Sequence, residues 1–182
     1  MAKVMTGKIR LSYFHGFEPH STEEGKEKKY STAILIPKTD TKTVDAIRKA
    51  VEEAKEEGKT KCWNGKIPPA AKLKLPLRDG DEEKPDDPNY AGMWFMNCSS
   101  KDKPGMIDQG RKQITDPKEL KSGDYARITM NLYPFNTSGN MGVGAGLNNI
   151  QKWATGPALG GGGVSAEEDF DELMVDDEDD AL

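Results

Sequence analysis

The sequence predicts a mainly β protein: a small barrel of four or five strands with one helix among them, followed by an acidic tail. Three observations carry this. Several segments alternate apolar and polar residues with period two, one segment repeats its apolar positions at helical spacing, and charge is divided unevenly along the chain. The 182 residues suit one domain plus tails. Hydrophobic residues make up 35% against 31% charged, which is lean, but they are clustered, so part of the chain can close a core.

Residues 3–14, KVMTGKIRLSYF, place Met5, Gly7, Ile9, Leu11 and Tyr13 on one side. Thr6, Lys8, Arg10, Ser12 and Phe14 fall on the other, so the segment reads as one strand with a single buried face. After a polar loop holding His15 and His20, residues 30–38 are apolar and β-branched up to Pro37, a second strand. Residues 39–59 carry Val44, Ile47, Val51 and Ala54 as a narrow apolar stripe, the mark of a helix laid on a sheet. Thr41 or Thr43 can cap its start, and Gly58 can end it. Residues 60–89 are Pro-rich and irregular, with one short run, AKLKLPL. Residues 90–99, YAGMWFMNCS, form a third strand that leads into a basic tip with Lys101 and Lys103.

The clearest strand spans residues 124–135. Ala126, Ile128, Met130 and Leu132 make its core face; Tyr125, Arg127, Thr129, Asn131, Tyr133 and Phe135 make the other. The turn NTSGN, rich in residues that tolerate left-handed backbone, returns the chain through the Gly-rich strand MGVGAGLNNIQKW. Coiled strands in this number around one helix describe an OB-fold with long loop insertions and a disordered acidic C-terminal tail. The domain covers residues 1–156, a Gly-rich linker residues 157–166, and the tail residues 167–182.

The formal net charge of −5 conceals two opposed parts. Residues 164–182 hold ten acids and no Lys or Arg, whereas residues 1–163 hold 26 basic against 21 acidic side chains. Without the acidic loop DGDEEKPDD, residues 79–87, the body stands at 25 basic against 15 acidic. A cationic body joined to a polyanionic tail points to a body that binds a polyanion and a tail able to compete for that surface. No apolar run is long enough for a membrane span, and no secretory signal opens the chain. Cys62 and Cys98 make no disulfide framework, so a reducing, cytoplasmic setting fits.

On their non-core faces the two best strands carry cations and rings: Lys8, Arg10 and Phe14, then Tyr125, Arg127, Asn131, Tyr133 and Phe135. That mixture suits single-stranded nucleic acid, where cations follow phosphates and rings accept unpaired bases. Strand surfaces also carry Tyr, Thr and Arg for packing alone. Trp63, Trp94, Phe95 and Trp153 are further stacking candidates, with Trp94 and Phe95 facing opposite ways. Lys101 and Lys103 are candidate backbone contacts. RNA offers the same phosphates and base faces.

Other chemistry finds weaker footing. Cys62 and Cys98 lie 36 residues apart, the wrong spacing for zinc with His15 and His20. The acids between Asp79 and Asp87 would serve a Mg²⁺-dependent nuclease, the alternative reading, but sit in a Pro-rich loop that reads as solvated. GNMGVGAG fails as a nucleotide-binding loop because Leu147 replaces the last Gly and no helix follows. No cofactor, metal site or catalytic group is expected.

The segments GKIRLSY, LPLRDGDE, YAGMWFMNCSSKDKPGMID and NLYPFNTSGNMGVGAGLNNIQKW occur in the order of a known family. In them the chain resembles the phage-encoded single-stranded DNA-binding proteins. The resemblance implies an OB-fold that coats single strands during phage DNA replication or recombination in the bacterial host cytoplasm. The tail is similar in kind to the acidic tails of such proteins, though it ends on Leu182 where they typically end on an aromatic residue. Phe170, Leu173 and Met174, at helical spacing, together with Leu182, form a candidate docking motif for replication or recombination proteins. An adaptor acting through that tail alone is the remaining reading. Homo-oligomerisation stays open.

Overall fold

The computed structural model describes residues 2–21 and 25–159. Its strands are β1 (Ala2–Met5), β2 (Ile9–His20), β3 (Lys29–Pro37), β4 (Leu73–Lys74), β5 (Arg78–Asp79), β6 (Met93–Ser100), β7 (Gly105–Ile107), β8 (Tyr125–Thr137) and β9 (Asn140–Ala154). Helix α1 (Thr41–Lys61) lies between β3 and β4, and a single turn, α2 (Gly80–Glu83), follows β5.

Five strands close on themselves. β2 pairs with β3, β3 with β6, β6 with β9 in parallel, β9 with β8, and β8 returns to β2. This is the closed barrel of an OB-fold. β4 and β7 add parallel pairings to other stretches of β9. Ile9, Leu11, Ile34, Ile36, Met96, Ile128, Met130, Leu132 and Ile150 fill the interior.

One expectation fails at the N-terminus: residues 3–14 are not a single alternating strand. Met5 pairs with Thr129 and Ile9 with Ala126, so four steps on one side oppose three on the other. The extra residue reverses the alternation. Val4 and Thr6 therefore point inward together with Ile9 and Leu11, while Met5 (59% exposed) and Tyr13 (44% exposed) point out. Thr6 stabilises the break by exchanging hydrogen bonds with the Ile128 backbone: its N–H donates to the carbonyl, and its hydroxyl accepts from the amide. β2 also runs past residue 14 to His20, with register shifts on either side of His15.

Helix α1 seals the barrel against β8 and β1 with Val44, Ile47, Ala50, Val51 and Ala54. Asp40, not Thr41 or Thr43, caps it, accepting from the Thr43 amide at 3.1 Å. Thr43 instead accepts the Gly7 amide at 2.9 Å, tying the helix to the break between β1 and β2. Nor does Gly58 end the helix, which continues to Lys61. Its bare backbone seats the Trp63 ring, against which a Cβ would lie only 2.6 Å away.

A second, smaller apolar cluster on the outside of the barrel joins Leu35, Tyr90, Phe95 and Leu159. Tyr90 belongs to a 3₁₀ turn (Pro88–Tyr90) rather than to the third strand. Residues 157–159, the start of the linker in the sequence, lie along the barrel: the Pro157 carbonyl accepts from Arg10, and Leu159 is buried. The tail residues Phe170, Leu173, Met174 and Leu182 lie outside the described residues.

Candidate nucleic-acid interface

The outward face of β8 presents Tyr125, Arg127, Thr129, Asn131, Tyr133 and Phe135, alternating with buried Ala126, Ile128, Met130 and Leu132. Ten residue steps at about 3.3 Å make a stripe of roughly 33 Å. Along one flank Lys3 stands opposite Asn131, Met5 opposite Thr129, and Arg10 opposite Tyr125. Along the other, Asn149 stands opposite Thr129 and Gln151 opposite Arg127.

Two bulges in β9 shape this surface. Thr129 faces Asn149 while Met130 faces Leu147, so Asn148 is an extra residue. Ala126 faces Lys152 while Tyr125 faces Ala154, so Trp153 is another. A bulged residue leaves the ladder and re-aims its side chain. Asn148 thus joins Asn149 beside Asn131, whose Nδ2 donates to Asn148 Oδ1 at 3.2 Å. Trp153, 41% exposed, stands beside Arg127 and Gln151.

Three depressions run into one another along the stripe. The first, about 380 Å³, lies between Lys3 and Lys103 over Asn131, Asn148 and Asn149. The next, about 190 Å³, shares Lys3 and Asn149 with it and adds Met5, Arg127 and Thr129. The third, about 340 Å³, continues from Arg127 and Gln151 to Gln109 and Trp153. In the middle, Thr129 Oγ1 is buried without a hydrogen-bond partner among the described residues. Arg127 Nε donates to Gln151 Oε1 at 2.8 Å, which steadies the guanidinium while leaving its other donors outward.

The ends of the stripe differ. At one, Lys8 and Arg10 stand 4.9 and 5.4 Å from the Tyr125 ring centre, a cation–π pair of contacts. Arg10 also donates to the Gly123 and Pro157 carbonyls at 3.0 and 2.7 Å. At the other, Tyr133 and Phe135 lie across β9, where a Cβ on Gly144 or Gly142 would come within 2.9 Å of their rings. The glycines of β9 are the bed on which these rings rest. Burial, with a smaller effect of nearby Cys98, pushes the Tyr133 hydroxyl up from its ordinary pKa.

Other sequence candidates sit apart. Phe14 meets Phe17 edge-on with ring centres 6.1 Å apart, and Lys103 in turn lies over Phe17. Lys101 stands 3.9 Å from Glu27. Trp63 and Phe95 are buried, and Trp94 lies beneath Lys38 and Arg48, so Trp153 is the exposed tryptophan among the three. Lys3, Met5, Asn148, Asn149 and Gln151 were not legible as groove residues. For Asn148 and Asn149 the one signal is LNNI, where two polar residues separate apolar neighbours that strict alternation would separate by one.

The acidic loop is more ordered than a solvated loop. Lys38 Nζ lies 2.7 Å from both Asp79 and Asp81, holding their carboxyls below the usual range, while Asp79 also caps α2 and Arg78 pairs with Glu83. Among the described residues no group of His, Cys, Asp and Glu is arranged to hold a metal ion. Cys98 is enclosed by the core, and burial drives its thiol to about 12. No helix among the described residues is long and apolar enough to cross a membrane.

A closed OB barrel with a cationic, ring-bearing stripe defines the class of oligomer-binding barrels. Within it, the chain belongs to the family of the single-stranded DNA-binding protein of Enterobacter phage Enc34, whose family model matches residues 2–182. The single-stranded DNA-binding protein from bacteriophage Enc34, solved in complex with single-stranded DNA, is similar with a TM-score of 0.73 and 26% identity over 87% of this chain and 90% of that one. Protein p50 of Acyrthosiphon pisum secondary endosymbiont phage 1 is 30% identical, covering 99% of this chain and 98% of the relative. The gp2.5 single-stranded DNA-binding protein encoded by bacteriophage T7 shares the fold, with a TM-score of 0.61 and 16% identity over 87% of this chain and 90% of that one.

Proposed function

We propose that this chain binds single-stranded DNA without strong sequence preference along the β8 stripe, coating single strands during phage replication or recombination in the host cytoplasm. The observation that carries the reading is the stripe itself. Lys3, Arg127 and Lys103 are placed to follow phosphates, and Tyr125, Trp153, Tyr133 and Phe135 to meet bases, on one continuous face. Kinship with a protein solved on single-stranded DNA supports the binding of single strands. Duplex DNA keeps its base faces stacked, so rings add little there, and each base–ring contact is worth about 1–3 kcal/mol on a single strand.

The tail extends this reading. Its ten acids form a tethered polyanion that competes for the groove until DNA displaces it, and Phe170, Leu173, Met174 and Leu182 recruit protein partners. Fluorescence anisotropy of labelled oligo-dT against a matched duplex, with Mg²⁺ present, tests the core of the reading. Tight, salt-sensitive binding of the single strand without cleavage is expected. Equal affinity for both forms would reduce the stripe to a charge effect, and cleavage would move the weight to a nuclease. Removing residues 167–182 should tighten binding at low salt; unchanged affinity would refute competition by the tail.

A further inference from the structure

The centre of the stripe is chemically unlike its ends. Both ends carry rings, whereas the depression of about 380 Å³ between Lys3 and Lys103 contains none. Its volume falls at the lower end of the roughly 300–1,000 Å³ of small-molecule sites. Its lining is almost wholly polar, and it keeps both donors and acceptors free. The Asn131–Asn148 hydrogen bond leaves Asn131 Oδ1 as an acceptor and the Asn148 amide with donors to spare. The Asn149 carboxamide rests against Gly105, where a Cβ would come within 2.4 Å of its Oδ1, so the bare glycine makes room for it. Asp102 adds a carboxylate whose own amide donates to Ser100.

We infer that this depression takes one nucleobase edge-on and holds it by hydrogen bonds from carboxamides that can turn to suit any base, while the bases on either side are held by stacking. The inference rests on the proposed binding of single strands. Three carboxamides and a carboxylate offer donors and acceptors together, which matches a base edge, where both occur side by side. A phosphate would be repelled by Asp102. Lys3 and Lys103, on opposite rims, are instead positioned for the phosphates flanking the inserted base. An unpaired base exposes its Watson–Crick edge only in a single strand, so the pocket adds a second reason for rejecting duplex.

The test uses the full chain and the shortest oligonucleotide that binds at full affinity, which prevents sliding, with one abasic position moved through it. In wild type, removing the base at one internal position should cost about tenfold, the size of one good base-edge contact, and that loss should depend on the pocket asparagines. An Asn148→Ala, Asn149→Ala variant should bind the intact oligonucleotide about tenfold more weakly and show no extra loss at that position. Its salt dependence should match wild type, because no phosphate contact has been removed. An abasic penalty that the variant leaves unchanged at every position overturns the inference while leaving strand binding intact. Failure of wild type to bind the intact oligonucleotide would overturn the parent reading, and this one with it.

Discussion

Arg127 offers the sharpest test of the stripe, because its replacement separates charge from fold. Five cations border the groove with no carboxylate partner among the described residues: Lys3, Lys8, Arg10, Lys103 and Arg127. If each neutralises one phosphate of a single strand, log K should fall against log salt with a slope of about −0.7 per contact, or about −3.5 in all. Between 50 and 200 mM salt that slope loses about a hundredfold in affinity. Arg127→Ala should bring the slope to about −2.8 and, near 0.1 M salt, weaken binding about fivefold. Arg127 is exposed and, among the described residues, its one side-chain hydrogen bond goes to Gln151, so stability should change by no more than about 0.5 kcal/mol. Anisotropy titrations with oligo-dT over a salt series measure the slopes, and urea melts check the fold. A slope and affinity unchanged from wild type would show that Arg127 faces no phosphate, and would refute β8 as the binding face.

Three further outcomes follow from the geometry. Trp153→Ala should lose about 1–3 kcal/mol of oligo-dT affinity and abolish the quench of intrinsic fluorescence on binding, since Trp63 is buried and Trp94 is covered by cations; a retained quench would place the contact elsewhere. Gly123→Ala should destabilise the fold by about 2 kcal/mol or more in urea and speed proteolysis near Leu159, because Gly123 has φ +102° and a Cβ there would lie 2.0 Å from the Pro157 carbonyl oxygen. Burial, reinforced by the stacked His20, lowers the pKa of His15, so its neutral form favours the folded state. That contribution is present above the unfolded value of about 6.5 and is lost as pH falls through the folded pKa. The melting temperature should therefore drop as pH falls below about 6.5, and His15→Gln should flatten the drop.

The barrel was legible in the sequence where alternation is strong. β8 keeps Ala126, Ile128, Met130 and Leu132 inward without interruption, and its outward residues follow by default. The helix stripe was equally plain, although Gly58 proved a seat for Trp63 in the last turn rather than a terminator, because a buried ring can favour a glycine inside a helix. Less visible were the places where one residue is inserted. Only Gly7 in KVMTGKIRLSYF hints at the break after Met5, yet the break reverses which side chains are buried, exposing Met5 and bringing Lys3 to the groove. Tyr133 and Phe135 were correctly placed outward, but their seating on Gly144 and Gly142 depends on the pairing of β8 with β9.

The two extra residues of β9 have a consequence for how such a barrel can diversify. In a strand of strict alternation every outward residue is locked in phase with an inward one, so shifting the binding surface disturbs the interior. Asn148 and Trp153 escape that coupling, since neither has a counterpart on β8 and neither occupies an interior position. At these two positions the chemistry presented to a ligand, and the number of side chains presenting it, can change, an amide for a ring or a ring for a charge, while the packing beneath stays as it is. The scaffold and its specificity can thus be tuned separately, through one side chain at each bulge.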